Sequence, residues 1–221
     1  MRLHIDLHTH FLIYIGTETS SHTLVAALYF LKKNPQTLDS ALEVLTKNGF
    51  DQSVDCDQKY TLENLDELTY ITYLVKEALR VDSPTIQSLK YIAYDDIEIC
   101  GVKIPKGTKL QKLNTLLHYN DEIWQDPAKF IPERHDPDSK FFTRPGTSDK
   151  ARPPNSHVSF SSGKRSCPGQ IFAMLELRVV MTYLLTHIEY SIDQKYLEND
   201  GIGFGIVAGC PIEIKITDIK N

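Results

Sequence analysis

The stretch Phe160-Ser-Ser-Gly-Lys-Arg-Ser-Cys-Pro-Gly169 decides the reading of this 221-residue chain. A cysteine sits near its end, between a glycine-bearing turn and a strongly apolar segment. Gly163 and Gly169 permit backbone geometry that other residues resist. Pro168, with its fixed φ and no N–H, keeps the loop from collapsing early into helix. From Gln170 the pattern turns helical: Ile171, Met174, Leu175, Arg178, Val179 and Thr182 recur at three- and four-residue steps. Cys167 is therefore expected in a rigid loop just ahead of a helix N-terminus, where backbone N–H groups stabilise negative charge on sulfur. Arg165 adds a positive charge able to meet a carboxylate.

Composition narrows the class. Hydrophobic residues make up 41% and charged residues 24%, as in a soluble globular chain. The formal charge of −5 does not suggest a nucleic-acid groove. Cys56, Cys100, Cys167 and Cys210 form no CxxC pair, which argues against a zinc site or disulfide scaffold and fits a reducing compartment. His4, His8 and His10 read as solvated residues near the start. No apolar run is long enough to span a membrane, and the start lacks a signal-peptide layout.

Phe160, Gly163, Arg165, Cys167 and Gly169 match Phe-x-x-Gly-x-Arg-x-Cys-x-Gly, and here the chain resembles the cytochrome P-450 family of haem-thiolate monooxygenases. Phe172, Ala173 and Glu176 continue the family pattern into the next helix. The resemblance implies that Cys167 is the axial ligand of a haem b iron. It implies that Arg165 pairs with a propionate and that Phe160 packs beside the sulfur. Ser159 stands where the family commonly has proline.

The remaining segments are read in the same way. Residues 7–33 are predicted as one long helix with Leu12, Ile15, Leu24, Ala27, Leu28 and Leu31 on its apolar face, ending before Pro35. Its hydroxyl-rich middle, Gly16-Thr-Glu-Thr-Ser20, is weak in helix propensity. It resembles the family's oxygen-activation motif, which implies that Thr19 helps deliver protons and that Glu18 acts as relay. Ile15 departs from the small residue usual there. A short helix over 37–47 is closed by Asn48-Gly49.

A helix over 62–80 carries Glu77-Ala-Leu-Arg80. On a solvated face such a pair adds only a few tenths of a kcal/mol. The resemblance instead places Glu77 and Arg80 in a buried structural network completed by Arg134 of Pro132-Glu-Arg-His135, where His135 replaces an aromatic residue. Residues 91–117 read as a β-hairpin region, with a turn at Cys100-Gly101 and a strand-like run from Lys109 to Leu117. By resemblance Thr85 to Leu89 face the cavity above the haem, and Lys90 and Tyr91 stand where a propionate-binding Arg or His is often found. His118 reads as a structural histidine. Residues 118–159 form a connecting segment and irregular loop, 160–169 the haem loop, 170–187 its helix and 188–217 a C-terminal β-hairpin.

The fold class implied is mainly α with small β-sheets (α+β), the C-terminal portion of the cytochrome P-450 fold. The function implied is insertion of one oxygen atom of O2 into a small apolar substrate. Electrons would come from an NADPH-dependent reductase or another donor, since no nucleotide-binding glycine fingerprint is present; Lys164 is a candidate contact. No nucleic-acid partner is expected. The alternative is a truncated, non-catalytic remnant that binds haem poorly or not at all, because the resemblance covers only the C-terminal half or so of a family member. The location is left open, with the endoplasmic reticulum membrane implied for a full-length eukaryotic parent carrying an N-terminal anchor.

Overall fold

The computed structural model describes residues 7–53, 55–147, 150–198 and 213–219, with side chains described from Ile15 onward except at Cys56 and Asp57. Residues 199–212 of the expected C-terminal hairpin, with Cys210, and His4 lie outside the described residues, as do the side chains of His8, His10 and Leu12. Eight α-helices are described: α1 (Leu7–Lys33), α2 (Pro35–Lys47), α3 (Cys56–Lys59), α4 (Leu62–Glu67), α5 (Thr69–Val81), α6 (Asn114–His118), α7 (Gln170–His187) and α8 (Gln194–Leu197). Three antiparallel two-stranded sheets accompany them: β1 (Tyr91–Ile92) with β4 (Lys109–Leu110), β2 (Ile97–Ile99) with β3 (Val102–Ile104), and β5 (Ile188–Ile192) with β6 (Ile214–Ile219). The class is the predicted one, helical with small sheets.

The core explains the long helix. Ala26 to Leu31 are six consecutive buried residues, so the C-terminal part of α1 is enclosed on all sides rather than along one stripe. Leu74 and Ala78 of α5, Met181 and Leu185 of α7, Leu45 of α2, and Tyr190 and Ile192 of β5 fill the same core. Ile15, expected on the apolar face of its helix, is exposed, and so is Ile171 of α7, by 87%.

Two segments differ from the sequence reading. The helix expected over 62–80 breaks at Leu68, which leaves the helical region (φ −81°, ψ 57°) and buries its side chain in the core. Thr61 caps the first piece by accepting from the Asn64 N–H at 3.3 Å. The strand-like run from Lys109 to Leu117 is strand only at Lys109–Leu110 and becomes α6 at Asn114. The cause is a tertiary partner: Asn114 Nδ2 donates to the Thr85 carbonyl (3.3 Å), and the Thr115 hydroxyl and N–H donate to that of Ile86 (3.2 and 3.3 Å). These bonds tie α6 to the turn that follows α5.

Candidate functional site

The cysteine loop is shaped by its own backbone. A 3-10 turn at Gly163–Arg165 reverses the chain, and the Cys167 N–H donates to the Phe160 carbonyl at 2.8 Å, closing the loop on itself. Gly163 lies at φ 74°, a left-handed conformation that strains other residues. Gly169 does not: its φ of −86° is open to any residue, and an added Cβ would meet Cys167 Sγ at an ordinary 3.9 Å. The geometric need read for both glycines exists at Gly163 alone. Phe160 packs on the small apolar cluster of Val75, Leu79 and Leu177, which anchors the loop's first residue between α5 and α7.

The Cys167 thiol is free and exposed. It borders a cavity of about 480 Å³. One wall is α1, through Ile15, Glu18, Thr19, Ser20 and Thr23; the other side is the loop with Phe160, Arg165 and Cys167, backed by Leu79, Ala173 and Leu177. Thr85, Ser88, Leu89 and Tyr91 complete the rim. Lys90 is exposed and does not line the cavity. Thus Glu18, Thr19, Phe160, Arg165, Cys167 and Ala173, up to 155 positions apart in sequence, border one space. Gly163 shapes the loop without lining the space, and Gly169 neither lines it nor carries a conformational requirement.

Three polar details set what this space can do. The Thr19 hydroxyl donates to the Ile15 carbonyl at 2.9 Å. Its proton is thereby committed to the helix and its remaining lone pairs are acceptors. The Ser20 hydroxyl donates to Glu176 Oε2 at 2.8 Å, joining α1 to α7. Sequence reading missed this contact, because nothing local marks two residues 156 positions apart. Arg165 is exposed and has no acidic partner among the described residues.

Glu77, Arg80 and Arg134 form a second, separate cluster with fully buried side chains. Glu77 Oε1 accepts from Arg80 Nη2 (2.8 Å), Arg134 Nε (2.9 Å) and the Ile131 N–H (3.0 Å). Oε2 accepts from Arg80 Nε (3.0 Å) and His135 Nε2 (3.1 Å). A carboxylate only accepts, so the His135 proton sits on Nε2. Arg80 also donates to the carbonyls of His118, Pro127 and Lys129, and Arg134 to those of Gln125, Asp126 and Lys129. Burial alone would raise the Glu77 carboxyl, but the Arg80 guanidinium and the bonds from His135 and Arg80 hold it well below the usual carboxylate range. His135, at the position read as replacing an aromatic, is thus a working member of the cluster. Its signal in sequence was a departure with no local meaning.

A loop presenting an exposed thiol, a long helix bordering the same cavity, and a separate buried Glu77–Arg80–Arg134 cluster define the arrangement. The chain belongs to the cytochrome P450 family: the family model named Cytochrome P450 matches residues 4–207. That family is one of haem- and iron-binding monooxygenases. Among curated relatives, (1S)-1-hydroxy-luvungin A synthase CYP88A37 from Citrus sinensis is 32% identical over 80% of this chain and 33% of its own length. Cytochrome P450 4V2 from Homo sapiens is 28% identical over 81% of this chain and 32% of its own. The chain spans roughly a third of the length of the curated relatives it matches. Cyanobacterial CYP120A1, solved with retinoic acid bound, superposes with a TM-score of 0.71 at 24% identity, covering 84% of this chain and 39% of that one, which shows a shared fold.

Proposed function

We propose that this chain carries the thiolate side of a haem-thiolate monooxygenase that inserts one atom of O2 into a small apolar substrate, with electrons from a separate donor such as an NADPH-dependent reductase. The carrying observation is the free Cys167 thiol on a largely apolar cavity whose far wall is the Glu18–Ser20 turn of α1. The residues present fit haem b. Sulfur is a soft donor for iron, Leu79, Ala173 and Leu177 offer apolar walls, and Arg165 is a cation without an acidic partner among the described residues, suited to a propionate.

When bound, the haem supplies activation of O2. The chain's own residues have the following parts in this reading. Cys167 would supply the ligand from a loop closed at Phe160, Arg165 would pair with a propionate, and Phe160 would pack beside the sulfur. Thr19, whose hydroxyl proton points to Ile15, accepts a hydrogen bond from a donor in the cavity, and Glu18 one residue before it exchanges protons with solvent. Glu77, Arg80 and Arg134 keep α5 and the segment at Pro132–His135 in place and take no part in the chemistry. The carbon monoxide difference spectrum of the reduced, haem-supplied chain tests this reading: a strongly red-shifted band is expected, and Cys167→Ser abolishes it because a hard, high-pKa hydroxyl cannot replace thiolate. An unchanged band in the variant moves the ligand elsewhere.

Thr19→Ala in a turnover-competent form is expected to retain haem and to divert reduced oxygen to peroxide and water. Product formed per NADPH consumed is the measurement, and equal ratios in variant and parent remove Thr19 from the proton path.

A second reading, a remnant that holds haem weakly without turnover, is favoured by one observation. Cys167 and Arg165 are exposed, and beside them Ile171 and Phe172 are exposed by 87% and 69%, so the described residues leave the loop open to solvent. Haem content and reductase-driven turnover of residues 1–221 decide between the two.

A further inference from the structure

The three residues before the cysteine loop are strapped to α5 and its neighbours, one bond at a time. His157 Nε2 donates to the Lys76 carbonyl at 3.0 Å. The Val158 N–H donates to His118 Nε2 at 2.9 Å. The Ser159 hydroxyl, 7% exposed as a residue, donates to the Leu79 carbonyl at 2.9 Å. Leu79 lies in the last turn of α5, where carbonyls have no partner inside the helix. The Ser159 carbonyl in turn accepts from the Thr85 hydroxyl at 3.4 Å, and Thr85 lines the cavity.

Immediately beyond this strap the backbone is held in an unfavourable conformation. Ser161 lies at φ 62° and is a non-glycine residue. Such a conformation persists only where surrounding bonds over-determine it. The Ser161 N–H donates to the Val158 carbonyl at 2.8 Å, so the strain rests directly on the strapped segment. The loop's closing bond, Cys167 N–H to the Phe160 carbonyl, begins one residue after Ser159.

We propose that Ser159 is a positioning residue for Cys167. Its hydroxyl caps α5 and clamps the base of the cysteine loop, and its carbonyl joins that base to the cavity wall at Thr85. A proline or alanine at this place offers no side-chain donor to Leu79. The value of the clamp to the sulfur rests on the thiolate reading above, but the clamp itself does not.

The test uses the whole chain and two readouts. Site-resolved amide hydrogen exchange on haem-free protein reports the loop at Ser161, Ser166 and Cys167, whose N–H partners are all in or beside it. Ser159→Ala is expected to speed exchange about fivefold at these amides, the effect of one lost hydrogen bond, while amides of α5 and α7 keep parent rates. Ser159→Thr, which keeps the hydroxyl, is expected to behave like the parent. In haem-supplied protein the red-shifted fraction of the carbon monoxide band falls in Ser159→Ala and recovers in Ser159→Thr. Unchanged loop exchange in Ser159→Ala overturns the proposal. So does a uniform rise over loop and core alike, which means Ser159 serves stability in general. An unchanged red-shifted fraction beside faster loop exchange overturns the link to the sulfur. If parent and Cys167→Ser both lack the red-shifted band while the loop exchanges as expected, the clamp stands and the thiolate reading fails.

Discussion

Glu77→Ala is expected to lower folding stability by about 3–5 kcal/mol, a large share of the ~5–15 kcal/mol of an ordinary domain. The reason is the asymmetry of buried charge. Two fully buried guanidiniums, Arg80 and Arg134, direct three N–H groups at this one carboxylate, and His135 and the Ile131 N–H add two more. Removing the acceptor leaves two cations enclosed with only carbonyl partners. Replacing the whole cluster by well-packed apolar residues carries no such penalty, since the cost lies in the unpaired charge. Glu77→Gln keeps the shape and one acceptor oxygen and is expected to fall between parent and alanine variant. Urea denaturation of the three proteins is the measurement. A parent-like midpoint for Glu77→Ala would show that the cluster opens to water at little cost.

The second large effect is loss of stability in mild acid. His118, His135 and His157 sit together: rings of His118 and His157 stack at 5.3 Å, and His135 meets His157 edge-on at 5.5 Å. Arg80 and Arg152 act on them as neighbouring cations, and Glu77 is the acid that faces all three. Burial is the main cause in each case: it pushes His118 down to about 4, His135 below its ordinary value, and His157 well below it. Neighbouring cations add to the depression. His118 Nε2 accepts from the Val158 N–H, so its protonation also breaks a strap of the cysteine loop.

The sign follows from linkage. The unfolded imidazoles bind protons below about pH 6.5, whereas the folded ones resist, so the unfolded state holds more protons and stability rises with pH in that range. The contribution is present in full above the unfolded value and is lost as pH falls toward the folded one. For His118 alone the loss between pH 6.5 and its folded value of about 4 is of order 3 kcal/mol. Glu77, held well below the ordinary carboxylate value, adds its loss only at lower pH still. Urea midpoints measured between about pH 7.5 and 5 should therefore fall steadily, and less steeply in His157→Phe. A flat profile over that range would mean that the imidazoles are already hydrated.

How much of this was legible beforehand depends on the distance over which each signal acts. The helices over 7–33 and 170–187 were readable because apolar periodicity and a terminal proline or glycine-rich loop are local signals. The break at Leu68 and the helix at Asn114 were not, because they answer to a core and to the carbonyls of Thr85 and Ile86, which lie elsewhere in the chain. The cysteine loop was legible as a motif, down to the requirement at Gly163, while Gly169 carries no conformational demand of its own.

Sequence by itself therefore determined the helical class, the loop that presents Cys167 and the list of residues worth watching. Tertiary structure decided which of them meet. It brought Glu18 and Thr19 to face Cys167 across one cavity. It turned Glu77-Ala-Leu-Arg80 from a pair worth tenths of a kcal/mol into a buried hub, and drew His135 into it. It also set Ser159, an apparent departure, against the open carbonyl of Leu79. The physical reason is common to all three. A hydrogen bond or ion pair acquires its strength and its meaning from the exclusion of water, and water is excluded only when segments distant in sequence have packed together.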